Sequence, residues 1–279
     1  MEIFGWSRRK EAEAAKPPAP AIPDVPIDAT WFAAGECRNC GAALGTPYCC
    51  QCGQKAATRL AWGDIGKETW DRVRWFEASS VKTVGHLILS PGKVARAFVY
   101  GRRSAHMHPL KLLVALVAVL VLILAANRYF GHYRFAGQSA DVSRMAEKVM
   151  AYANWSFSLG IIAIFAASWL TFRRRLGYNA IEHAVLAVYC QNLILALVLL
   201  NLLPTLIWRE ERFILLHKFA SQYYMYPIKL WIVARAYTQF FLLDLKVDWP
   251  KLLFGCLVYI AISWGLLRLY AMAILWLVG

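Results

Sequence analysis

Long blocks of apolar residues, interrupted by few polar positions, fill the second half of the chain. A helix needs about 20 such residues to cross the roughly 30 Å hydrocarbon core of a bilayer. Five blocks come close to this length, so we expect five transmembrane helices, at 110–126, 153–172, 183–208, 224–243 and 252–278. The fourth block is the least apolar of the five, because it contains Lys229 and Arg235.

The first half of the chain has two other patterns. Residues 1–30 are rich in Ala and Pro and have few large apolar side chains, which predicts a disordered or semi-extended linker. From 57 to 109, apolar positions recur at helical spacing among many Lys and Arg residues, and Ser90-Pro91-Gly92 interrupts a short apolar run. This stretch predicts an amphipathic, basic connector that lies on the cytoplasmic leaflet, where anionic headgroups would be its partners.

A four-cysteine motif lies between these two patterns, in residues 31–56. Each half reads Cys-x-x-Cys-Gly, with Cys37 and Cys40 in the first half and Cys49 and Cys52 in the second. Two intervening residues let both sulfurs face one ion, and the Gly permits the tight turn that follows. We expect a zinc ribbon whose four thiolates hold a structural Zn²⁺, with iron as the alternative metal. The role of the extra cysteine, Cys50, stays open, since it either points outward or replaces Cys49 as a ligand.

The distribution of charge predicts the orientation. A formal net charge of +14 is typical of nucleic-acid-binding proteins and of membrane proteins with basic cytoplasmic loops. The head has few aromatic residues in series, so nucleic acid is not an expected partner. Arg102 and Arg103 precede the first expected span, and Arg173, Arg174 and Arg175 separate the second from the third. The positive-inside rule then predicts an N-terminus and ribbon in the cytoplasm and a C-terminus outside.

Several polar residues fall inside the expected spans, where ionisable groups are costly and therefore informative. Helical spacing and rise per residue allow five of them to meet at one helix interface. These are Glu182, Tyr189, Asn192, Arg235 and Gln239. Two interpretations are open: hydrogen bonds that join the spans, or a polar pathway for a substrate or ion.

The motifs together resemble a family. Cys37 to Gly41, Tyr48 to Gln54, and Ser90-Pro91-Gly92 followed by Arg96, Gly101 and Arg103 are similar to a bacterial family catalogued only as a domain of unknown function. The resemblance implies a zinc ribbon fused to a bundle of about four or five spans, and it implies no activity. The long Ala/Pro-rich linker and Cys50 depart from the family pattern.

These expectations describe an all-α polytopic protein of the inner (cytoplasmic) membrane with a small N-terminal zinc ribbon. No catalytic triad, metalloprotease, phosphate-loop or dinucleotide motif occurs, so we expect a protein that is not an enzyme. The first hypothesis is an interaction or scaffold protein whose ribbon binds a protein partner. The alternative is a transporter with a polar pathway near Glu182 and Arg235.

Overall fold

The computed structural model describes residues 19–61, 79–130, 156–208 and 210–278. Within these ranges the chain forms eight helices, with a small head of turns and short bridges between the first helix and the second. The helices are α1 (Ala29–Ala33), α2 (Ser79–Leu89), α3 (Pro91–Val99), α4 (Pro109–Phe130), α5 (Ser156–Phe172), α6 (Ala180–Ile207), α7 (Glu211–Phe240) and α8 (Trp249–Val278).

Three of the described helices are long and apolar enough to cross a membrane. The stretches that qualify are Pro109–Ala126 in α4, Ala180–Ile207 in α6 and Trp249–Ile274 in α8. In α5 the apolar stretch Ser158–Phe172 is shorter, and the first residues of the second expected span lie outside the described ranges. The fourth expected span lies in α7, a 30-residue helix that contains Pro227 and several polar residues, among them Lys229 and Arg235.

The central element is α6, which packs against α2, α3, α4, α5 and α7. Its first two thirds are buried, whereas α4 and α8 expose most of their surface. A capping box begins the helix: the side chain of Asn179 accepts from the N–H of Glu182 at 2.9 Å, and the N–H of Asn179 donates to Glu182 Oε2 at 2.7 Å. Exposed apolar side chains are most numerous on α8, and others lie on α4, on α7 and near the end of α6, as lipid contact requires.

The Ser90-Pro91-Gly92 break divides a helical segment into α2 and α3, and α3 is almost entirely buried. Pro91 begins α3 where a missing N–H has no cost. We expected this part of the connector to lie on the leaflet surface, but α3 packs against α6 and α7 inside the protein. Gly92 makes this packing possible, because a Cβ atom there would lie 2.6 Å from Gln239 Cβ and 2.7 Å from Phe240 N.

The described end of the Ala/Pro-rich segment is held in place by the rest of the chain. Residues 19–28 are irregular, with a bend at 24–25, and Ile27 donates its N–H to Leu176 O at 3.1 Å. The guanidinium of Arg96 binds Asp24 at 2.9 Å and the carbonyl of Pro23, while Tyr100 donates to Val25 O at 3.1 Å. The linker expected over 1–30 is thus fixed in this part by partners more than 70 residues away, and residues 1–18 lie outside the described ranges.

Candidate metal centre and its docking contacts

The head consists of two turns with the same backbone pattern. In the first, Cys37 N donates to Ala42 O at 2.7 Å and Gly41 N donates to Cys37 O at 2.8 Å. The second repeats both bonds, from Cys49 N to Gln54 O and from Gly53 N to Cys49 O, at 2.8 and 2.9 Å. Gly41 and Gly53 have φ values of 77° and 68°, in the left-handed region that favours glycine.

These turns bring four sulfur atoms together. Cys37 Sγ lies 3.6 Å from Cys52 Sγ, Cys40 Sγ lies 3.5 Å from Cys49 Sγ, and all four lie within 4.8 Å of one another. A disulfide needs about 2.05 Å, so none of these pairs is bonded. A tetrahedral ion with metal–sulfur distances of about 2.3 Å separates its sulfurs by about 3.8 Å. Cys37, Cys40, Cys49 and Cys52 can therefore hold one metal ion.

The two turns give their thiols different acidities. Burial raises the pKa of Cys40 to about 12. Hydrogen bonds from the backbone N–H groups of Cys52 and Gln51 lower the pKa of Cys49 to about 6, although burial acts in the opposite direction. Of these two thiols, Cys49 is the better prepared to be a thiolate before an ion arrives, and a bound cation would favour ionisation of Cys40.

The first turn docks onto the membrane part of the chain. Arg38 is only 4% exposed, and its guanidinium lies 4.0 Å from the ring centroid of Trp31. Gly101, at φ 95°, packs closely against Arg38 and Ala57. A Cβ at Gly101 would lie 2.6 Å from Ala57 Cβ and 3.2 Å from Arg38 Cβ. Trp31 also donates its indole N–H to Tyr100 O at 3.1 Å.

Gln54, which follows the second turn, makes the polar part of the joint. Its Nε2 donates to Gly101 O at 2.7 Å, while its Oε1 accepts from both the N–H and the hydroxyl of Ser104 at 3.0 and 2.8 Å. The side chain is 2% exposed, and these bonds satisfy its carbonyl oxygen and one of its two N–H donors. The head therefore meets the loop between α3 and α4 through a shape-specific, hydrogen-bonded contact.

The tail of the head pairs with the first turn of α6. Arg59 Nε lies 3.0 Å from Glu182 Oε1, and Arg59 Nη2 donates to Glu182 Oε2 at 3.3 Å and to Gly177 O at 2.6 Å. The Glu182 side chain is fully buried, whereas that of Arg59 is 36% exposed. A buried carboxylate needs such a partner, because an isolated one would have a large desolvation cost.

The second turn faces away from the rest of the chain. Tyr48 is 57% exposed, and Cys50, Gln51 and Gly53 are also exposed. The structure places Cys50 outside the four-sulfur group, as an exposed thiol beside it.

The five polar residues of the expected spans do not form one cluster. Glu182 binds Arg59, as described above, whereas Arg235 donates to Leu89 O at 3.2 and 3.1 Å. Leu89 ends α2, so Arg235 satisfies a carbonyl that the helix leaves without an internal partner.

The other three residues also bond to backbone groups, which lie in α3, in the loop before α4 and at the first residue of α4. Tyr189 donates to Met107 O at 2.8 Å, Asn192 donates to Pro109 O at 2.8 Å, and Gln239 accepts from Gly92 N at 3.0 Å. Asn192 therefore meets the first residue of α4 at a point about 18 Å along α6 from Ala180, at 1.5 Å per residue.

Sequence reasoning missed four pairings in this region. Arg59 and Gln54 were visible only as a charge and as part of a motif, and the pairing of Arg175 with Asp248 at 2.8 Å joins two loops 73 residues apart. His183, fully buried, has Nδ1 3.1 Å from Ser168 Oγ, which itself donates to Phe165 O. Local sequence patterns do not predict such pairs, because each pair forms only when particular helices become neighbours.

The segment that makes these contacts is similar to a known family. A family model described as "Protein of unknown function (DUF3667)" matches residues 81–121. That stretch contains most of α2, all of α3 and the first part of α4, and so includes Leu89, Gly92 and Gly101. No curated protein and no solved structure matches the chain.

Proposed function

We propose that this chain is a non-enzymatic membrane protein that presents a zinc ribbon on the cytoplasmic side and recruits a protein partner through the exposed second turn. The observation that carries the proposal is the asymmetry of the head. One turn is buried against the membrane part, whereas the other presents Tyr48, Cys50 and Gln51 to solvent. A docked, metal-bound turn holds the exposed turn at a fixed place and orientation, as a recognition surface needs.

Zinc is the metal of this proposal. Four cysteine sulfurs at tetrahedral spacing are the usual donor set of structural zinc sites, and they leave no position open for substrate. Purified protein should contain about one zinc ion per chain by elemental analysis, and a Cys37→Ser/Cys40→Ser variant should contain none. Iron at the same stoichiometry would support the alternative metal, and metal-free wild-type protein would contradict the site.

Five crossings with the head in the cytoplasm are part of the same proposal. The head contacts the loop before α4 and the start of α6, and Arg175 ties the end of α5 to the start of α8. The candidate spans α4, α6 and α8 thus all begin toward the head. The chain has to return twice, and α5 and α7 are the elements that do so. The basic loop with Arg173 and Arg174 then lies on the cytoplasmic side.

The test compares a variant of the exposed turn with a control variant elsewhere on the head. Tyr48→Ala/Gln51→Ala removes the exposed side chains without touching a ligand, and Thr58→Ala is a matched change at another exposed position of the head. Crosslinking and co-purification from native membranes should recover a protein partner with wild type and Thr58→Ala, but not with the double variant. Equal zinc content in all three excludes loss of the fold as the cause. The same recovered proteins in all samples would contradict recruitment through this turn.

Transport is the second hypothesis, favoured by one feature. Broken helices inside a bundle are typical of transporter binding sites, and the α2–α3 break leads from the exposed end of α2 at Leu89 to the buried start of α3 at Pro91. The groups at the break are already bonded, however, since Arg235 binds Leu89 O and Gln239 binds Gly92 N, and this supports packing over a pathway. An Arg235→Ala variant with normal zinc content and unchanged partner recovery, but lost substrate flux, would favour transport.

A further inference from the structure

Hydrogen bonds and an ion pair join two loops at the head end of the bundle into a single surface. Residues 173–179 connect α5 to α6, and residues 241–248 connect α7 to α8. Arg175 joins them: its Nε donates to Phe241 O at 2.8 Å, and its Nη2 donates to Leu242 O at 2.9 Å and to Asp248 Oδ2 at 2.8 Å. Although burial raises the pKa of Asp248, its bonds from Arg175 and Lys251 lower it overall, so this link stays charged near neutral pH.

The outer side of this surface is basic. Arg173, Arg174 and Lys246 are exposed, and within the described part of the chain their side chains have no carboxylate partner. Of the two nearby acids, Asp248 is engaged by Arg175 and Lys251. Asp244 is exposed and accepts from the backbone N–H of Lys246 at 3.0 Å. With Lys251 at the start of α8 included, five basic residues against two acidic ones give this surface a net charge of +3.

Exposed apolar side chains lie between these charges. Leu245 is 57% exposed, Val247 74% and Trp249 57%, and they alternate with Lys246 and Asp248 along the chain. In α8 the exposed apolar face continues with Leu253 and Phe254. Because that face needs lipid around it from the first turn onward, the loop beside it lies at the level of the headgroups.

We propose that this surface, formed by Arg173, Arg174, Lys246 and the exposed Leu245, Val247 and Trp249, binds the phosphodiester headgroup of an anionic phospholipid. The cations contact the phosphate while the apolar side chains enter the adjacent acyl region, an arrangement that long basic side chains and Trp favour at a membrane boundary. The site is separate from the connector that the sequence suggested for headgroup contact, and it does not depend on the function of the ribbon.

The test measures lipid retention by purified full-length protein. Native mass spectrometry of protein exchanged with phosphatidylglycerol or with phosphatidylcholine should show preferential retention of the anionic lipid. An Arg174→Gln/Lys246→Gln variant should reduce that preference about thirtyfold, and the reduction should shrink as salt is raised. The matched control is Arg212→Gln/Lys218→Gln, which removes the same charge from exposed positions near the start of α7 and should keep the wild-type preference.

Three results would overturn the proposal. Equal retention of the two lipids by wild type would exclude headgroup recognition, and equal losses in the two variants would show that only net charge matters. If millimolar inorganic phosphate displaces the anionic lipid, the site serves a soluble phosphate compound and not a lipid. Zinc content and helical circular dichroism, measured on every variant, confirm that each compared protein is folded.

Discussion

At the residue scale, the contact between the head and the rest of the protein depends on one glycine. Gly101 has a φ of 95° and lies against Ala57 and Arg38. An L-residue in a left-handed conformation costs about 1–2 kcal/mol, and here the added Cβ would also meet Ala57 Cβ at 2.6 Å. The same glycine lies in the segment that the family model matches.

Gly101→Ala should therefore loosen the head while the spans stay folded. We expect the head to lose about 2 kcal/mol of docking stability, seen as faster hydrogen exchange over 35–56 with unchanged exchange in α8. Gly45→Ala is the control, because its Cβ would meet no atom within 4 Å and its φ is not left-handed. Identical exchange in both variants would show that the joint tolerates the added methyl group.

The ion pair between Arg59 and Glu182 belongs to the same scale. Arg59→Ala leaves a fully buried carboxylate whose remaining hydrogen-bond donor, among the residues that the structure describes, is Asn179 N. Since Arg59 is partly exposed, we expect a loss of about 2–3 kcal/mol in unfolding free energy, less than the roughly 3–5 kcal/mol of a fully buried pair.

Chemical unfolding in detergent measures this loss, and a second variant checks its cause. Adding Glu182→Gln to Arg59→Ala removes the unpaired charge, so the double variant should recover part of the stability. A double variant that is less stable than Arg59→Ala would contradict the pair as the origin of the effect.

At the scale of elements, α3 and α7 approach closely because Gly92 has no side chain. Gly92→Ala would force the helices apart, since the methyl group would meet backbone of Ala236 and Phe240. Gly85→Ala in α2 meets nothing within 4 Å, and replacing a helical glycine at an exposed position stabilises by about 0.5–1 kcal/mol. The two variants should shift the thermal unfolding midpoint in opposite directions. A downward shift of equal size in both would exclude close packing at Gly92 as the reason.

Local sequence patterns predicted some of these elements well. The apolar blocks indicated α4, α6 and α8, since length and hydrophobicity are properties of each segment alone. The Cys-x-x-Cys-Gly spacing likewise identified Cys37, Cys40, Cys49 and Cys52, because the geometry of each turn is local. The burial of α3 could not be predicted in this way, because its amphipathic pattern fits a membrane surface as well as a protein interior.

The polar residues of the spans illustrate the same limit. Their spacing placed Glu182 and Arg235 near a common interface, but each found a nearer partner outside the expected spans, in Arg59 and in Leu89 O. Those partners come from segments 123 and 146 residues away in sequence. Only the packing of α2 and α3 beside α6 brings them into reach.

For the whole molecule, the proposed five crossings predict opposite locations for the two ends of the chain. A reporter fused after Gly279 should be active only outside, and one fused before Met1 only in the cytoplasm. A reporter inserted at Asp244 should share the location of the N-terminal one, because Arg175 ties that loop to the head end. A cytoplasmic signal from the tag at Gly279 would contradict five crossings.

The burial of α3 also has a consequence for biosynthesis. Gly92 and its partner Gln239 are separated by 147 residues. At translation speeds of about 5–20 residues per second, α3 emerges roughly 7–30 s before its contact in α7 exists. During that interval the four-cysteine head is already complete, but α7, which covers one side of α3, has yet to be made. The head can thus bind its metal and fold before the bundle assembles. The helices that enclose α3 pack against it only later.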